Sequence, residues 1–424
     1  MLFRSKVLGD ELIGIKIDIK AAFKRIKIDP NEYKKNVVVI NGKYYYYKVL
    51  PFGSKVSAYY WQRIAALIHR ILKAIIAEYP NAGMVYVDDS LWIFRKTEAP
   101  LLATILLIML QILKVPLSWH KTIFGSILDW VGYEVNLREF TVSLPKSKRD
   151  KIIKKVRKLL TERYIALKEI ESTTGSLSWA STPFPGACVF LKELYQLIAA
   201  LKRDNKFKAL IPVNILYDLR MFWYIVTEMP NKIPMQLRTI HQGWWLRTDA
   251  RSTPPSIGGW FSMDPQPNAK CVAWFQWNIR SDIFQNICGD IDIERRISAL
   301  ELLALAVAIR NWAPIFKNEK IRFQLSSALS VETDSMVCKN ALHNWRAKTE
   351  PMISILREIV VDTVRNNIRI NATHLPGELN EWADGISRLN PEILSLFSPE
   401  HKVTRNNPNL EKFWKVRGKV PWKK

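Results

Sequence analysis

The sequence predicts a mixed protein with an α+β region, a helical middle and then an α/β region. Three observations predict this order. Residues 1–145 alternate runs of period-two hydrophobicity, which is typical of strands, with amphipathic helical patterns. Residues 146–242 carry mainly helical patterns, and residues 243–390 return to strands that alternate with helices. Residues 391–424 are mostly polar and basic, and we expect them to form a tail.

The charge of the chain points to a polyanionic partner. Its 424 residues include 63 Lys and Arg against 39 Asp and Glu, which gives a net charge of +24. Basic residues that neutralise phosphates release counterions from nucleic acid, so this excess favours nucleic acid as the partner. A basic ribosome-like protein or a membrane-surface protein is the alternative. The hydrophobic share of 48% is typical of a folded chain.

Cysteine usage and hydropathy predict an intracellular, reduced protein, with cytoplasm and nucleus both open. The cysteines are scattered without a C-x-x-C pair, which argues against a zinc module and a disulfide framework. The N-terminus lacks the apolar core of a signal peptide. The most apolar run, residues 101–113, is too short to span a bilayer, so we expect no membrane segment. The four cysteines are Cys188, Cys271, Cys288 and Cys338.

The elements of the N-terminal region follow clear patterns. Residues 13–20 place four isoleucines on one face of a strand and Asp18 on the other. Residues 35–50 predict a hairpin around an Asn-Gly turn, and residues 54–76 predict a long amphipathic helix. Residues 83–94, GMVYVDDSLWIF, predict a second hairpin. The elements that follow are a helix at 99–114 and short strands within 123–144.

The helical middle opens on a basic segment, PKSKRDKIIKKVRKLL, at residues 145–160. Its apolar residues share one side, so it is either a phosphate-contacting helix or an ordinary solvated one, and the sequence leaves both open. The C-terminal region then continues with recognisable strands and helices. They are strands at 244–250 and 270–279, a helix at 295–312, a strand at 327–335, a helix at 350–367 and a strand at 368–375.

Three aspartates in the N-terminal region form the first candidate site. Asp18 lies on a predicted strand, and Asp88 and Asp89 lie in a predicted hairpin. An Asp-Asp pair alone is most often part of a surface turn. Carboxylates on adjacent strands are also what two-metal phosphoryl transfer needs, because two Mg²⁺ ions about 3.5–4 Å apart must be bridged by hard oxygen ligands.

Four segments resemble reverse transcriptases, in the order typical of that family. They are DIKAAF at 18–23, LPFGSKVSAYYWQRI at 50–64, YVDD at 86–89 and WHKTIFGSILDWVGYEV at 119–135. The resemblance implies a right-hand polymerase palm with incomplete fingers over residues 1–145 and a helical thumb and connection over 146–242. It also implies that Asp18 and Asp88 are the principal metal ligands and that Asp89 is a weaker one.

The resemblance further implies roles for three residues that bind nucleotide or primer. Phe23 would be the steric gate that selects dNTPs over rNTPs, although a plain core aromatic is the alternative. Gly53 would let the backbone approach the template–primer and the nucleotide closely. Lys121 is a candidate for the lysine that assists the departure of pyrophosphate.

A second set of acids in the C-terminal region resembles the ribonuclease H fold. Asp249, Glu301, Asp334 and Asp384 follow one another on a strand, a helix, a strand end and a short helix. The resemblance implies that they hold two Mg²⁺ ions, with Mn²⁺ as a substitute, for cutting RNA in a hybrid. His374 matches a loop histidine of that family, and a surface histidine is the alternative. Glu332 is expected to be a solvated neighbour.

The C-terminal motifs look most like those of DIRS-like (tyrosine-recombinase) retrotransposons. The resemblance implies a retroelement enzyme that binds an RNA template, a DNA primer, RNA–DNA hybrid and dNTPs, with other element-encoded proteins as open further partners. Asp18 lies only 17 residues from the N-terminus, so we expect an N-terminally truncated chain, either a polyprotein fragment or a degraded product. The alternatives are a non-catalytic nucleic-acid-binding relic and a ribonuclease H behind a dead polymerase.

Overall fold

The computed structural model describes residues 9–184, 186–229, 231–235, 245–264, 266–280, 293–323, 328–348, 351–366 and 368–403. The chain divides into two compact units. The N-terminal unit comprises Met1–Pro145 with Pro234–Arg238, and the C-terminal unit comprises Lys146–Ile233 with Thr239–Lys424.

The N-terminal unit has nine strands and two α-helices within its described residues. The strands are β1 (Leu12–Asp18), β2 (Val37–Ile40), β3 (Lys43–Tyr46), β4 (Asn81–Tyr86), β5 (Asp89–Arg95), β6 (Ile123–Gly125), β7 (Ile127–Trp130), β8 (Tyr133–Asn136) and β9 (Thr141–Ser143). The helices are α1 (Lys55–Ile75) and α2 (Ala99–Ile112). Short 3₁₀ turns lie at Ala22–Arg25, Pro30–Lys35 and Trp119–Lys121.

The central sheet of this unit has the order β4-β5-β1-β6 and is antiparallel throughout. One face of the sheet packs Ile15 and Trp92 against the buried side of α2, which includes Leu106. The other face packs Leu12 and Leu91 into a cluster with residues of the β7–β9 meander. Because both faces are covered, β5 is apolar almost continuously rather than in alternation.

The hairpin of β2 and β3 forms a separate two-stranded sheet. It turns at Asn41 and Gly42, both of which have positive φ angles, as the Asn-Gly signal predicted. The predicted long helix is also confirmed, since α1 buries Trp61, Ala65 and Leu72 along one side.

The C-terminal unit begins with helices. The helices and the short strands between them are, in chain order, α3 (Lys146–Thr161), β10 (Ile165–Ala166), α4 (Leu167–Ser181), a 3₁₀ turn (Ala187–Leu191), α5 (Lys192–Arg203), β11 (Lys208–Ala209) and α6 (Val213–Glu228). Strand β12 (Ile233–Pro234) follows at the boundary of the two units. Helix α3 buries Ile152, Val156 and Leu159, so its many lysines are left on the outer side.

A five-stranded sheet forms the rest of the unit. Its strands are β13 (Trp245–Ser252), β14 (Pro255–Ser262), β15 (Ala273–Asn278), β16 (Ala328–Thr333) and β17 (Arg369–His374). The helices are α7 (Ile293–Phe323), α8 (Met336–Asn344), α9 (Met352–Arg365), α10 (Glu381–Ser387) and α11 (Pro391–Ser395), with 3₁₀ turns at Ala269–Cys271, Gly377–Leu379 and Pro399–His401.

The order of this sheet is β15-β14-β13-β16-β17. The β13–β14 and β14–β15 pairs are antiparallel, whereas β13–β16 and β16–β17 are parallel. Parallel neighbours need a crossover connection, and α8 and α9 provide it between β16 and β17. Helix α7 packs against β13 and β14.

Residues 391–403, at the start of the expected tail, are packed onto the C-terminal unit. Ile393 and Phe397 join an apolar cluster with Trp274, and the Trp274 indole N–H donates to the Ser398 carbonyl at 2.9 Å. The apolar residues here recur at a helical spacing that the basic composition obscured. The remainder of the expected tail lies outside the described residues.

A buried ion pair joins the helical part of the C-terminal unit to its sheet part. Arg357 on α9 donates from Nη2 to Asp218 Oδ2 on α6 at 2.6 Å, and the Asp218 side chain is 0% exposed. The sequence had assigned these helices to separate domains, at 146–242 and 243–390. A buried charge left without its partner is costly, so this pair fixes how the two helices pack.

We predict that Arg357→Met lowers the free energy of unfolding of this unit by about 3–5 kcal/mol, because it removes the guanidinium that is paired with the buried Asp218 carboxylate. The double variant Asp218→Leu/Arg357→Met should recover most of that loss, since neither charge remains. Urea denaturation followed by tryptophan fluorescence measures both values. A double variant as unstable as the single one would contradict the prediction.

Candidate active sites

The three aspartates of the first cluster meet at one end of the central sheet. Asp18 is the last residue of β1 and lies directly opposite Asp89, the first residue of β5. Asp88 lies in the two-residue connection between β4 and β5. The Ile19 backbone N–H donates to the Asp88 carbonyl at 3.0 Å. The sheet register therefore brings together residues that are 70 positions apart in the sequence.

The tip of this hairpin is held in an unusual conformation. Val87 has a φ of +53°, which is a strained value for a β-branched residue. The buried indole of Trp61 on α1 donates its N–H to the Val87 carbonyl at 2.8 Å. Helix α1 therefore fixes the turn that carries Asp88, which is one reason for a tryptophan in the segment after Leu50-Pro51-Phe52-Gly53.

Two lysines approach the carboxylates. Lys121 Nζ lies 3.4 Å and 3.3 Å from the two carboxylate oxygens of Asp18, and Lys16 Nζ lies 3.7 Å from Asp89 Oδ1. Burial raises the pKa of Asp89, Lys16 opposes that rise, and the charges of Asp88 and Asp18 add to it. The lysines therefore offset only part of the negative charge at the cluster.

Phe23 and Gly53 occupy a neighbouring part of the same unit. The half-buried Phe23 ring meets the Phe52 ring edge-on, with centroids 5.2 Å apart, and it packs on a cluster that contains Ala22 and Trp61. Gly53 has a φ of +87°, and a Cβ placed there would meet no atom within 4 Å. The backbone conformation rather than crowding within the chain therefore requires glycine at this position.

The second cluster is built on the sheet of the C-terminal unit. Asp249 lies within β13, Glu301 within α7, Asp334 directly after β16 and Asp384 within α10. Ser387, one turn after Asp384, donates from Oγ to Asp249 Oδ2 at 2.5 Å.

Gly258, opposite Asp249 on β14, lets α10 approach the sheet. A Cβ at Gly258 would lie 2.7 Å from the Ser387 backbone nitrogen. This close approach brings Ser387 within hydrogen-bonding distance of Asp249.

Burial and neighbouring carboxylates raise the pKa values of two acids in the second cluster, Asp249 and Glu301. Burial, with the charges of Asp334 and Asp384, raises the pKa of Asp249 to about 6. Burial, with the charges of Asp334 and Asp249, raises the pKa of Glu301 to about 7, although Ser335 and Cys338 hydrogen-bond to it. Such mutual effects require the acids to surround a common space. The structure therefore brings all four predicted acids together.

His374 and Glu332 lie beside this cluster. The exposed His374, at the end of β17, has Nε2 3.1 Å from the Asp334 carbonyl oxygen. The expectation that Glu332 is a solvated neighbour is wrong, because its Oε2 accepts from Arg247 Nε at 2.7 Å. Arg247 lies on the adjacent parallel strand, a placement that a single strand pattern does not reveal.

Lys16, Ser335 and Ser387 were not identified from the sequence. Lys16 lies two residues before Asp18 and therefore on the same strand face. Ser387 follows Asp384 by three residues and therefore shares its side of the helix. These spacings were the sequence signals that could have identified Lys16 and Ser387. For Ser335 the only such signal was its position directly after Asp334.

A basic groove lies between α3 and α4 of the C-terminal unit. The cavity has a volume of about 430 Å³ and includes Lys148, Lys151 and Trp179 in its lining. Lys148 Nζ lies 5.0 Å from the centre of the Trp179 ring. Lys155, also in the lining, donates to Ser176 Oγ at 2.8 Å. The inner side of α3 is thus apolar, and its basic side lines an open cavity.

Two negative findings apply to the residues that the structure describes. Within them, no group of three or more His, Cys, Asp or Glu side chains is arranged to hold a metal ion. No helix in the same part of the chain has both the length and the apolar character needed to cross a membrane.

Residues 5–135 match the family described as Reverse transcriptase (RNA-dependent DNA polymerase). The matched range includes Asp18, Asp88, Asp89 and Lys121 with the sheet that positions them. Over these residues the chain is similar to reverse transcriptases, in the same range as the four motifs. No curated protein matches the sequence.

Three solved structures of foamy viral protease-reverse transcriptase are similar at 15% sequence identity. The complex with RNA/DNA hybrid has a TM-score of 0.43, over 85% of this chain and 44% of that one. The dRH form with double-stranded DNA has a TM-score of 0.45, over 86% and 57%. A further complex with double-stranded DNA has a TM-score of 0.40, over 86% and 67%. The chain thus spans about half the length of the first two.

The raised pKa of Glu301 makes stability depend on pH. A carboxyl whose folded pKa lies above its unfolded value loses stabilisation as pH rises, here from about 4.5 to about 7. In metal-free buffer, Glu301→Gln should therefore be more stable than the parent at pH 8, by on the order of 2–3 kcal/mol, and should lose that advantage near pH 4.5.

Urea denaturation at several pH values measures this difference. The matched control is Glu378→Gln, an exposed glutamate in the same unit, which should follow the parent curve. If Glu301→Gln gains nothing at pH 8, the carboxyl is not held in the environment described.

Proposed function

We propose that the chain is an RNA-directed DNA polymerase with ribonuclease H activity, acting in the replication of a retrotransposon of the DIRS-like group. One observation carries the polymerase part. The three aspartates that the motifs single out converge at one sheet end inside the residues that match the reverse transcriptase family. The nuclease part rests on the four mutually interacting acids of the second cluster.

The donor chemistry at both clusters suits divalent cations. All the donors are hard carboxylate oxygens, which suit Mg²⁺ and also Mn²⁺. Asp334 Oδ1 is buried and accepts no hydrogen bond from a described residue, whereas Asp89 Oδ1 is paired with Lys16 at 3.7 Å. Burial, with the charge of neighbouring carboxylates, raises the pKa values of Asp89, Asp249 and Glu301, and a bound cation would stabilise their charged forms.

In the polymerase, Asp18 and Asp88 would hold two Mg²⁺ ions with support from Asp89. When bound, the ions would activate the primer hydroxyl and stabilise the pyrophosphate. Lys121 would hold Asp18 in position until substrate binds, and its exposed ammonium would then be available to the triphosphate. Phe23 would exclude a ribose 2′-hydroxyl, and the open space beside Gly53 would admit the template–primer.

In the nuclease, Asp249, Glu301, Asp334 and Asp384 would hold the second pair of Mg²⁺ ions. Ser387 would keep the Asp249 carboxylate in its orientation through the 2.5 Å hydrogen bond. His374 is exposed beside Asp334, so it would carry a proton to or from the cut strand. The basic groove of α3 and α4 would contact the phosphates of an RNA–DNA hybrid.

We predict that Asp88→Asn lowers primer extension on an RNA template with Mg²⁺ and dNTPs by at least about 100-fold, because it removes a charged ligand from the site. Asp129→Asn is the matched control, since Asp129 is exposed on β7 of the same unit, and it should extend primers as the parent does. Gel analysis of the extended primer measures both. Parental extension no greater than that of Asp88→Asn would refute the polymerase.

Asp334→Asn should abolish cleavage of the RNA strand in an RNA–DNA hybrid, measured with end-labelled RNA. Glu332→Gln changes an acid two residues away that is already paired with Arg247, and it should retain cleavage. A parent that leaves the hybrid uncut would refute the nuclease. Cleavage without primer extension would leave a ribonuclease H alone, and loss of both with retained RNA binding would leave a binding protein.

Cation binding gives a second readout for the nuclease site, independent of activity. At pH 8, Mg²⁺ should raise the thermal unfolding midpoint of the parent and of Glu332→Gln, because it offsets the repulsion between carboxylates. Asp334→Asn should show a smaller shift. Equal shifts in all three chains would mean that the second cluster binds no cation.

A further inference from the structure

The hairpin of β2 and β3 presents an exposed face made entirely of apolar and aromatic side chains. Val37 pairs with Tyr46, and Val39 pairs with Tyr44, so these four side chains share one face. Tyr44 is 79% exposed and Tyr46 is 53% exposed. Folded monomers rarely leave such contiguous patches open unless they bind something. None of these residues belongs to either carboxylate cluster.

The two tyrosines have the spacing of a base-stacking surface. They are two residues apart on one strand, which places them about 7 Å apart along it. The Tyr46 ring is stacked on Tyr33, with centroids 4.9 Å apart and an interplanar angle of 19°. That contact fixes the orientation of the Tyr46 ring. Exposed aromatic rings on a strand are a recurring means of stacking successive unpaired bases.

The charges around the hairpin are complementary to nucleic acid. Residues 20–55 contain nine Lys and Arg residues but only two acids, Asp29 and Glu32. Glu32 is already paired with Lys35 at 2.8 Å. Lys43 and Lys48 flank the tyrosines in the sequence and are exposed. An apolar protein segment would gain nothing from this excess of lysine, whereas a phosphate backbone would release counterions on binding.

We infer that Tyr44 and Tyr46 stack two unpaired nucleotides of single-stranded RNA, while neighbouring lysines contact its phosphates. This inference rests on the proposed use of an RNA template but on none of the catalytic residues. Binding of this kind tolerates any base, because every base has a π face. Its electrostatic part weakens as salt is added.

The test measures binding of the full chain to a fluorescein-labelled oligouridine by fluorescence anisotropy, without dNTPs or Mg²⁺. Tyr44→Ala and Tyr46→Ala should each weaken binding about 5- to 150-fold, the range found when a stacking aromatic is removed. Tyr44→Phe and Tyr46→Phe should bind within about twofold of the parent, because the ring that stacks is retained.

Tyr45→Ala is the matched control. Tyr45 is 49% exposed on the same strand, and it pairs with Val38 on the opposite face of the hairpin. It should bind within about twofold of the parent. Equal losses in Tyr45→Ala and Tyr46→Ala, or no loss in either Tyr44→Ala or Tyr46→Ala, would overturn the inference.

The salt dependence of RNA affinity distinguishes the contribution of stacking from that of electrostatic attraction. The slope of log affinity against log salt should be unchanged in Tyr44→Ala and about one unit shallower in Lys48→Ala. If the tyrosine variants instead abolish self-association of the chain and leave RNA affinity unchanged, the face is a contact between copies and the inference fails.

The proposed polymerase activity and the inferred RNA-stacking surface can be refuted independently. Asp88→Asn should bind the oligouridine as the parent does, because it lies outside the hairpin. A chain that extends no primer but shows tyrosine-dependent binding retains this inference and loses the polymerase. A chain that extends primers while tyrosine changes leave RNA affinity unaltered retains the polymerase and loses this inference.

Discussion

Repulsion between carboxylates is the constraint on which both candidate sites depend. Each cluster holds several acids at short range and partly out of water, where like charges interact more strongly than they do in solvent. Burial, together with this repulsion, raises the pKa of Glu301 to about 7 and that of Asp249 to about 6. Each acid must therefore sit on an element too firmly packed to move away, and strand ends and a helix flanked by buried layers provide that support.

The two clusters manage this repulsion by different means. In the N-terminal unit, Lys16 and Lys121 approach Asp89 and Asp18 as counter-charges, and the Trp61 indole holds the strained turn at Val87. In the C-terminal cluster Arg388 pairs with Asp384 at 2.6 Å, while Asp249 is held by a hydroxyl hydrogen bond from Ser387. Deeper burial of Asp249 and Glu301 is the main cause of the larger rises in pKa there. The partners of the carboxylates therefore differ in what they can do. A lysine can leave its carboxylate to bind a phosphate, whereas a serine hydroxyl only orients a carboxylate.

Local patterns were enough to predict the elements that carry chemistry. The alternating isoleucines of β1, the Asn-Gly turn of the β2–β3 hairpin and the one-sided apolar pattern of α1 all appear as the sequence indicated. The convergence of Asp249, Glu301, Asp334 and Asp384 followed from their order and from a family resemblance. What escaped prediction is non-local: Arg247 against Glu332 across parallel strands, Arg357 against Asp218 between two helices, and Phe397 on Trp274 beyond the expected end of the fold. No window of one sequence contains both partners of such contacts.

The whole chain is positively charged, whereas both candidate sites are groups of negatively charged carboxylates. Under the proposed function, this difference affects whether nucleic acid binds before its phosphate reaches a site. A chain with a net charge of +24 attracts a nucleic acid from any side, yet the reacting phosphate must finally approach a group of carboxylates that repels it. Lysines on the hairpin and along α3 lie outside the clusters, so they can bind the strand before either cluster is engaged. Under the proposed function, the carboxylates would hold a cation that offsets their repulsion of the bound phosphate. Under the proposed function, binding and catalysis should therefore be separable: removing a lysine weakens binding, while removing an acid leaves the strand bound and unreacted.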